Sequence, residues 1–469
     1  MFFSVYTLGC KLNQLETEAI SDSFRKNGFT LVPFSQIEHI EKQMEEPGII
    51  IINTCTVTSM AEQKARRVIR KALKEQKQAC VIVTGCYAQM ESLKFLAGTP
   101  ELSKRLYVIP GEKKDRLMDL AAYLSGVTCD GGETDDDEAS ENDLPLLIAS
   151  WLDGNYIEEQ DGTFRFAPEN FSSHSRGFIK IQDGCDRSCA YCRVSIARGK
   201  SRSLAADEVL RRLEALEQRG YSEAVLTGVN ISQYRDSNRE LPELLELLLA
   251  ETTAIRLRLS SIEPDSITDE LLQVLENSRI RPHFHLSLQS GSAEVLARMG
   301  RTYTPDDVRK KTALLRMARN DPFLACDIIA AFPGETEGEF MKTFALCEEM
   351  NFAWIHAFPF SPRPGTAAFG FSGRVSEKEK TERVERLREL AAGGRREYIR
   401  RWEGKEVEAV VERGDDLTEG LAVGVSENYL KIRVNYGNDP RPSPGSLIHC
   451  RIKSVSTNSS FDATAEKTG

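Results

Sequence analysis

Apolar runs alternate with amphipathic helical patterns along residues 1–125. Each apolar run is followed by a segment in which apolar positions recur every three to four residues. This alternation predicts an α/β domain built on a parallel sheet, with helices covering both faces. The apolar runs are SVYTLGC, PGIIIINTCTV and ACVIVTGCYAQ, and the main helical patterns are ETEAISDSFRKNGF and SMAEQKARRVIRKALKEQ.

The alternation resumes over residues 173–402, where five helical patterns separate six strand patterns. Six strands with intervening helices predict a partial (β/α)6 barrel. In such barrels the chemistry lies at the C-terminal ends of the strands. The strand patterns are FIKIQDG, AVLTGVN, IRLRLSS, HFHLSL, LACDIIAAFP and WIHAFPFSP.

The remaining segments have different sequence patterns. Residues 403–456 form short alternating runs separated by Gly, Asn and Pro, which predict a small all-β barrel. Residues 457–469 are expected to be a frayed tail. Residues 126–172 are expected to be an acidic insertion or linker, with a possible hairpin around Asp161 and Gly162. The predicted fold class is therefore α/β, with a small C-terminal β-barrel.

Composition and charge leave nucleic acid open as a partner. The 469 residues are 41% hydrophobic and 28% charged, an ordinary globular mixture. The net charge is −10, but twelve Asp and Glu with no Lys or Arg lie between Asp130 and Asp161, and the remainder carries +2. No apolar run is long enough to span a membrane, and the first residues do not resemble a signal peptide. We therefore expect a cytoplasmic protein, in which the eleven cysteines are metal ligands, catalytic groups or core residues.

The clearest chemical motif is Cys185-Asp-Arg-Ser-Cys189-Ala-Tyr-Cys192, directly after the strand pattern FIKIQDG. Three thiolates on one eight-residue loop are typical ligands of an iron–sulfur cluster. A structural zinc site would normally use four protein ligands. The motif resembles the signature of the radical S-adenosylmethionine (SAM) superfamily. That resemblance implies a [4Fe–4S] cluster whose fourth iron binds SAM, with Cys185, Cys189 and Cys192 as catalytic metal ligands.

A second set of cysteines ends three strands of the predicted N-terminal sheet. Cys10, Cys55 and Cys86 close the runs TLGC, IIINTC and IVTGC. The carboxyl ends of parallel strands meet at one edge, where ligand sites form, so these thiols could hold a second metal centre. The alternative is three unrelated core cysteines, since free cysteine is often buried. Cys80 begins its strand and is expected to be a core residue.

The order of motifs resembles the methylthiotransferase family, and the C-terminal β region is similar to that family's TRAM domain, an RNA-binding barrel. The first motif is most like the branch that acts on threonylcarbamoyladenosine in tRNA. The resemblance implies two [4Fe–4S] clusters, SAM, tRNA and a flavodoxin- or ferredoxin-like reductant protein. The alternatives are isopentenyladenosine in tRNA or a ribosomal protein as substrate, or a non-catalytic iron–sulfur RNA-binding sensor. The motifs are TLGCKLNQLETE, NTCTVT, TGCYAQ, KIQDGCDRSCAYC, TGVN, LQSG and FPFSPRPGT.

Residues near the predicted barrel rim are candidates for cofactor and substrate binding. A threonylcarbamoyl group carries a carboxylate, and a pocket for it needs a cation and hydrogen-bond donors. Arg363, after the sixth strand, is the first choice for that carboxylate. Each candidate could instead serve a turn, a cap or the surface. The cofactor candidates are Thr227, Gly228, Asn230, Glu263 and Gln289, and the substrate candidates are Arg198, Arg301, Tyr303 and Arg363.

Two further sets of residues bear on how RNA is held. In the predicted C-terminal barrel, four cations at alternating strand positions and two tyrosines could form an RNA-binding face. They are Lys431, Arg433, Arg451, Lys453, Tyr429 and Tyr436. The sequence also departs from the family pattern: Ser195 and Ile196 replace a usual proline and aromatic residue, and Gly300 replaces a common arginine. These departures could alter how the base or the tRNA backbone is held.

Overall fold

The computed structural model divides the chain into two compact units. The first contains residues 1–172 and 193–200, and the second contains residues 173–192 and 201–469. The structure describes residues 1–34, 47–91, 98, 100–129 (without the side chains of 127–129), 144–154, 162–413, 420–437, 439–456 and 460–468. Within them, no helix combines the length and apolar character needed to cross a membrane.

The first unit is built on a five-stranded, fully parallel sheet in the order β2-β1-β3-β4-β5. Every residue of β3 and β4 is buried, because helices cover both faces. The predicted α/β architecture is therefore confirmed here. The strands are β1 (Phe2–Thr7), β2 (Thr30–Leu31), β3 (Ile49–Thr54), β4 (Cys80–Gly85) and β5 (Leu106–Val108). The helices are α1 (Lys11–Lys26), α2 (Ser59–Glu75), α3 (Cys86–Met90), α4 (Pro100–Ser103), α5 (Leu117–Cys129), α6 (Leu144–Asp153) and α7 (Val194–Arg198).

Part of the expected insertion or linker belongs to the core of the first unit, which corrects the prediction for residues 126–172. Ile148 of α6 is fully buried in the cluster that contains Phe3 and Phe24. Phe166 joins the same cluster, and the guanidinium of Arg165 donates to both carboxylate oxygens of Asp119 at 2.6 and 2.8 Å. Acidic residues 130–143 and the proposed hairpin turn at Asp161 lie outside the described residues.

The second unit begins with the six predicted barrel strands. They form two three-stranded parallel sheets, β10-β9-β6 and β11-β12-β13, joined by single bridges from Leu257 to Ile280 and from Ile262 to Leu286. The partial barrel is thus confirmed. The six strands are β6 (Gly177–Lys180), β9 (Glu223–Thr227), β10 (Arg256–Leu259), β11 (His283–Gln289), β12 (Phe323–Ala330) and β13 (Trp354–Pro359), while β7 (Gln182–Asp183) and β8 (Arg202–Ser203) pair separately. The intervening helices are α8 (Ala206–Gln218), α9 (Leu241–Glu251), α10 (Asp269–Leu275), α11 (Ala293–Met299), α12 (Pro305–Ala318) and α13 (Glu337–Glu349).

A long helix, α14 (Glu377–Trp402), leads into a closed five-stranded barrel in the order β14-β15-β16-β18-β17. Its last strand lies in the segment expected to be a frayed tail, so that expectation for residues 457–469 is wrong. Ala463 and Ala465 of this strand point into the barrel core, where their small side chains fit against the other strands. The strands are β14 (Glu406–Val411), β15 (Leu421–Ser426), β16 (Lys431–Asn435), β17 (Leu447–Val455) and β18 (Ala463–Lys467).

A buried group of charges attaches the small barrel to the start of the β9, β10 and β11 strands. Glu223 accepts hydrogen bonds from Arg258 at 2.6 and 3.0 Å and from Arg281 at 2.8 Å. Arg258 also donates to the main-chain oxygens of Ser426 and Glu427 in the small barrel, both at 3.1 Å. These contacts satisfy charges that would be costly to bury alone.

Tyr429 lies at the same junction, and this corrects its predicted role in base stacking. Its ring stacks on His283 with a centroid distance of 4.1 Å. The guanidinium of Arg258 lies 5.1 Å from the centre of the same ring. Tyr429 therefore holds the small barrel against the strands rather than presenting its face to RNA.

We predict that Glu223→Gln lowers the free energy of unfolding by about 3–5 kcal/mol, because the buried guanidinium of Arg258 loses its carboxylate partner and that of Arg281 keeps only the more exposed Glu408 and Glu427. Chemical denaturation measures this loss. The matched control is Glu406→Gln, which removes an exposed pair with Arg451 and should cost less than about 1 kcal/mol. Equal losses in the two variants would contradict the assignment.

The same carboxylate predicts a pH dependence. The neighbouring guanidinium groups lower the pKa of Glu223 from 4.5 to about 2, against the opposing effect of burial. Its stabilising contribution is therefore complete above pH 4.5 and is lost as the pH falls towards 2. Wild type and Glu223→Gln should converge in stability over that range.

Candidate active site

Three cysteines lie at one edge of the first unit's sheet. Cys10 is the N-cap residue of α1, Cys55 directly follows β3, and Cys86 is the first residue of α3. Their strands β1, β3 and β4 are hydrogen-bonded neighbours, so the structure brings these strand ends together. This is the arrangement that the sequence pattern predicted.

Glycine makes the close approach of these loops possible. Gly9 has a φ of +104°, and a Cβ atom there would lie 2.8 Å from Cβ and 2.9 Å from Sγ of Cys55. Gly85 has a φ of +96°, and a Cβ atom there would lie 2.4 Å from the main-chain oxygen of Thr54. Any larger residue at either position would push the cysteine loops apart.

Hydrogen bonds from buried polar side chains hold the same strand ends in position. The amide of Asn13 donates to the main-chain oxygens of Leu8 at 2.7 Å and Thr54 at 3.0 Å. The amide of Asn53 donates to the main-chain oxygen of Asn13 at 3.0 Å, and the Thr54 hydroxyl donates to that of Thr84 at 2.5 Å. Sequence reasoning missed these residues. The sequence feature that could have identified them is the presence of polar residues beside the cysteines, where the apolar runs are interrupted.

Arg198 lies in this cysteine region, and its role in substrate binding stays a prediction. Its guanidinium donates to Glu16 at 3.0 Å and to the side-chain oxygen of Asn13 at 2.9 Å. Glu16 is fully buried and also pairs with Lys114. Because Arg198 neutralises a buried protein carboxylate, it serves the architecture of the first unit.

The three cysteines of this edge differ in exposure: Cys55 is buried, Cys86 is partly buried and Cys10 is exposed. Burial raises the pKa of Cys55 to about 11. Desolvation also raises the pKa of Cys10, and the Arg198 guanidinium opposes that shift. Thiolates are the form that binds metal, so loading this edge with a metal centre would release protons.

The Cys185–Cys192 loop of the second unit is held by Gln182, a residue that sequence reasoning missed. The Gln182 amide donates to the main-chain oxygen of Gly184 at 2.8 Å and to the hydroxyl of Ser201 at 3.0 Å. Its side-chain oxygen accepts from the main-chain N–H of Asn230 at 2.8 Å. One buried amide thus connects the start of the cysteine loop to the loop after β9.

One ion pair and one hydrogen bond attach the middle of the loop to residues that follow other strands. Arg187 donates to both carboxylate oxygens of Asp265 at 2.7 and 2.8 Å. Arg301 donates to both oxygens of Glu263 at 2.8 and 2.7 Å and to the hydroxyl of Tyr191 at 2.6 Å. The cysteine loop is therefore positioned by charged residues that follow β10 and β11.

The cysteines of this loop lie in a partly dehydrated setting. Each of them is half-buried. The main-chain N–H of Arg187 donates to Sγ of Cys185 at 3.4 Å. Desolvation raises the pKa of Cys189, and the nearby Arg301 opposes this shift. A donor to sulfur and a neighbouring cation are features that stabilise a thiolate.

The predicted cofactor residues lie at strand ends around this loop. Thr227 ends β9 and is buried, and a Cβ atom on Gly228 would lie 3.0 Å from the Gln182 side chain. The side-chain oxygen of Asn230 accepts from the N–H of Ser232 at 3.2 Å. Gln289 ends β11 with a φ of +66°, a strained conformation for a residue other than glycine. Contact of these residues with SAM stays a prediction.

Several predicted ligand-binding residues are instead occupied by protein contacts. The carboxylate of Glu263 and the guanidinium of Arg301 bind each other, as described above. The hydroxyl of Tyr303 donates to the main-chain oxygens of Ser287 at 2.6 Å and Leu288 at 2.9 Å. Contact of Arg301 and Tyr303 with substrate stays a prediction. Arg363 is buried after β13, and its predicted role stays open.

The predicted RNA-binding face of the small barrel is largely neutralised. Arg451 pairs with Glu406 at 2.8 Å, and Lys453 pairs with Glu466 at 2.5 Å. Lys431 and Arg433 lie over the ring of Phe461. Tyr436 packs against the barrel core. Among the described residues of the small barrel, these four cations therefore do not form a strongly positive surface.

A row of rings on the sheet β11-β12-β13 was not anticipated. His285 and His356 stack with centroids 5.3 Å apart, and His356 and Phe358 stack at 6.1 Å. Oδ1 of Asp327 lies 3.1 Å from Nε2 of His285. The alternate residue Cys326 contacts Cys347 of α13, so the rings lie on the face opposite that helix. The ring of Phe358 is 40% exposed.

The two cysteine sets offer thiolates, which are the usual protein ligands of an iron–sulfur cluster. In the described parts of the chain, no three His, Cys, Asp or Glu side chains converge closely enough to hold one metal ion. A [4Fe–4S] cluster needs thiolates on separate iron atoms, which sets a wider spacing. The cysteines in both sets are free of disulfide bonds and are grouped at one sheet edge or on one loop.

Comparison with known proteins identifies two family matches. Residues 179–347 match the Radical SAM superfamily, and residues 3–104 match a family described as Uncharacterized protein family UPF0004. A solved structure of the radical S-adenosylmethionine methyltransferase TsrM from Kitasatospora setae is similar, with a TM-score of 0.51 and 14% identity. That similarity covers 78% of this chain and 76% of TsrM, and it supports the fold alone.

Curated relatives are similar over nearly the full length. Threonylcarbamoyladenosine tRNA methylthiotransferase MtaB of Treponema pallidum is 38% identical over 96% of this chain and 97% of its own. The protein of the same name from Bacillus subtilis is 34% identical over 91% of this chain and 89% of its own. The tRNA-2-methylthio-N(6)-dimethylallyladenosine synthase of Koribacter versatilis is 29% identical over 97% and 96%.

Gly300, one of the departures from the family pattern, has a conformational explanation. It ends α11 with φ +75° and ψ 32°, in the left-handed region. A Cβ atom there would lie 3.4 Å from the main-chain oxygen of Ser188, and Ala190 donates its N–H to the oxygen of Met299 at 2.9 Å. Glycine thus lets the helix end directly against the cysteine loop.

We predict that Gly300→Ala lowers the free energy of unfolding by about 1–2 kcal/mol, because alanine is strained in the left-handed conformation. The matched control is Gly393→Ala inside α14, where the added Cβ atom meets no atom within 4 Å. That change should raise stability by about 0.5–1 kcal/mol. Denaturant unfolding of both variants measures the contrast, and effects of the same sign would refute it.

Proposed function

Because the chain belongs to the radical SAM tRNA methylthiotransferases, we propose that it converts N6-threonylcarbamoyladenosine beside the tRNA anticodon into its 2-methylthio derivative. Membership of this family makes the chain an enzyme that uses SAM and [4Fe–4S] clusters and acts on tRNA, which removes the alternative of a non-catalytic sensor. The choice of modified base is supported by relatives of that named specificity at 31–38% identity.

Two cluster sites form the chemical basis of the proposal. Cys185, Cys189 and Cys192 would hold one cluster and leave one iron for SAM. The bound cluster and SAM supply the one-electron chemistry that activates an aromatic C–H bond, which no side-chain acid or base can do. Cys10, Cys55 and Cys86 would hold an auxiliary cluster as the source of sulfur. The convergence of these three cysteines at one sheet edge is the observation that carries the second site.

The protein's own residues position these groups. Gln182 and the ion pair between Arg187 and Asp265 fix the cysteine loop before any cofactor binds. Because Gly228 has no side chain, the backbone after β9 can approach SAM closely. Thr227, Asn230 and Gln289 lie at or just after strand ends, and we assign them to the surroundings of SAM on this basis. Precise placement of this kind contributes much of the rate of a radical reaction, because misplacement of reacting atoms is costly.

Recognition of the modified base requires a cation for its carboxylate. Our first candidate is Arg363, a buried cation after β13. The exposed ring of Phe358 and the adjoining His356 provide a face on which a flipped base could stack. A hydrocarbon isopentenyl group would leave the cation of such a pocket unpaired.

We also propose that a flavodoxin- or ferredoxin-like protein donates the electrons for the reaction.

We predict that replacing Cys10, Cys55 and Cys86 together by Ala halves the iron content and preserves SAM cleavage. Replacing Cys185, Cys189 and Cys192 should also remove about half of the roughly eight irons per chain, but it should abolish 5′-deoxyadenosine formation. Iron analysis of anaerobically reconstituted protein measures the first effect, and dithionite-driven cleavage measures the second. Cys80→Ala, within the core of β4, is the control and should retain both clusters. Full iron content in the first variant would disprove the auxiliary site.

We predict that purified enzyme methylthiolates tRNA carrying threonylcarbamoyladenosine in preference to tRNA carrying isopentenyladenosine. A competition assay with both tRNAs measures the preference, which should exceed about 100-fold if a buried cation must be paired. Arg363→Gln should reduce that preference while SAM cleavage without RNA continues. Methylthiolation of the isopentenyl tRNA alone would overturn the substrate assignment and leave the cluster chemistry standing.

A further inference from the structure

The α2 helix carries many positively charged residues that have no role in the site described above. Its 17 residues contain six Lys and Arg and two Glu. Glu62 is buried and pairs with Arg193 at 3.2 Å, while Glu75 lies 3.9 Å from Lys71. The helix therefore has a strongly positive outer surface, although the whole chain is acidic.

The cations of α2 share one face. At 100° per residue, Lys64, Arg67, Arg70, Lys71 and Lys74 fall within about 120° of the helix circumference. The opposite side is apolar and buried in the core, with Ala65, Val68, Ile69, Ala72 and Leu73. We call the five cations the basic stripe. From Lys64 to Lys74 it extends for about 15 Å along the helix.

Most of the basic stripe lacks compensating acid. Lys64, Arg67, Arg70 and Lys74 are exposed, and within the described residues none has a carboxylate within 4.0 Å. In contrast, Arg451 and Lys453 of the small barrel are both paired. Unpaired surface cations in a row attract a polyanion and release its counterions when it binds.

The stripe begins beside the edge that carries Cys10, Cys55 and Cys86. The α2 helix starts four residues after Cys55, and it is capped by Thr58, whose hydroxyl accepts from the N–H of Ala61 at 3.1 Å. Two large apolar side chains are exposed at this end, Val57 at 58% and Met60 at 72%. An apolar patch next to a row of cations suits bases or riboses beside a phosphate backbone.

We propose that the basic stripe of α2 binds the phosphate backbone of the tRNA substrate, with its Lys64 end towards the Cys55 edge. This inference rests on the proposed function, which makes tRNA the substrate. A linear polyanion matches the linear arrangement of the cations. This assigns a positive surface for RNA to the first unit.

The test compares two holoenzyme variants with equal changes in charge. One carries Lys64→Gln, Arg67→Gln, Arg70→Gln and Lys74→Gln. The control carries Lys378→Gln, Arg388→Gln, Arg396→Gln and Arg400→Gln, four exposed cations of α14. Glutamine keeps high helix propensity, so both proteins should fold. The probe is an anticodon stem-loop RNA containing threonylcarbamoyladenosine, and its affinity is measured by fluorescence anisotropy over a range of salt concentrations.

The α2 variant should bind the RNA at least about tenfold more weakly at 0.1 M salt, and the slope of log affinity against log salt should fall by about 3. The control should match wild type in both values, and all three proteins should cleave SAM equally without RNA. Unchanged RNA affinity and slope in the α2 variant, or an equal loss in the control, would overturn the inference.

Two further readouts separate the competing explanations. If the α2 variant keeps its RNA affinity but loses reduction by a flavodoxin-like donor, while dithionite still drives SAM cleavage, the stripe binds an acidic protein and the inference is wrong. Turnover by wild type tests the proposed function independently. RNA that binds through the stripe without being methylthiolated would overturn that function and leave the stripe assignment supported.

Discussion

The meeting of parallel strand ends at one edge is the constraint on which the rest of this structure depends. A buried parallel strand must be apolar along its length, so chemically active residues can only appear where the strand stops. In the first unit this brings Cys10, Cys55 and Cys86 to neighbouring strand ends. In the second unit the cysteine loop lies beyond the end of the parallel strand β6, and its supporting charges lie after β10 and after α11. Tight glycine turns, at Gly9 and Gly85, allow the loops to approach closely.

Buried ion pairs then hold the residues at these strand ends in defined positions. Glu16 with Arg198, Glu263 with Arg301, and Glu223 with Arg258 are each largely removed from water. A buried charge without a partner is costly, so each such residue holds its neighbour in one place. The first two pairs act beside the cysteine sites, and the third fixes the small barrel. Much of the interior charge in this protein therefore supports position rather than ligand binding.

This use of charge explains which parts of the molecule could be predicted from sequence. The parallel α/β architecture and the cysteine positions follow from local patterns, because apolar runs and their ends are visible in the chain itself. The roles of Arg198 and Arg301 were not predictable, because their partners lie 182 and 38 residues away. The strand β18 was missed because alternating small residues, Ala463 and Ala465, give a weak pattern. Gln182 was missed because nothing in the sequence marks an amide that will be buried.

The central claim is that this chain adds a methylthio group to threonylcarbamoyladenosine in tRNA. The most direct measurement is nucleoside mass spectrometry of tRNA from a host that lacks this modification, with and without the gene for this chain. The account predicts that 2-methylthio-threonylcarbamoyladenosine appears only when the gene is present. Its absence in a host that expresses folded, cluster-loaded protein, or the appearance of a methylthio group on isopentenyladenosine instead, would contradict the account.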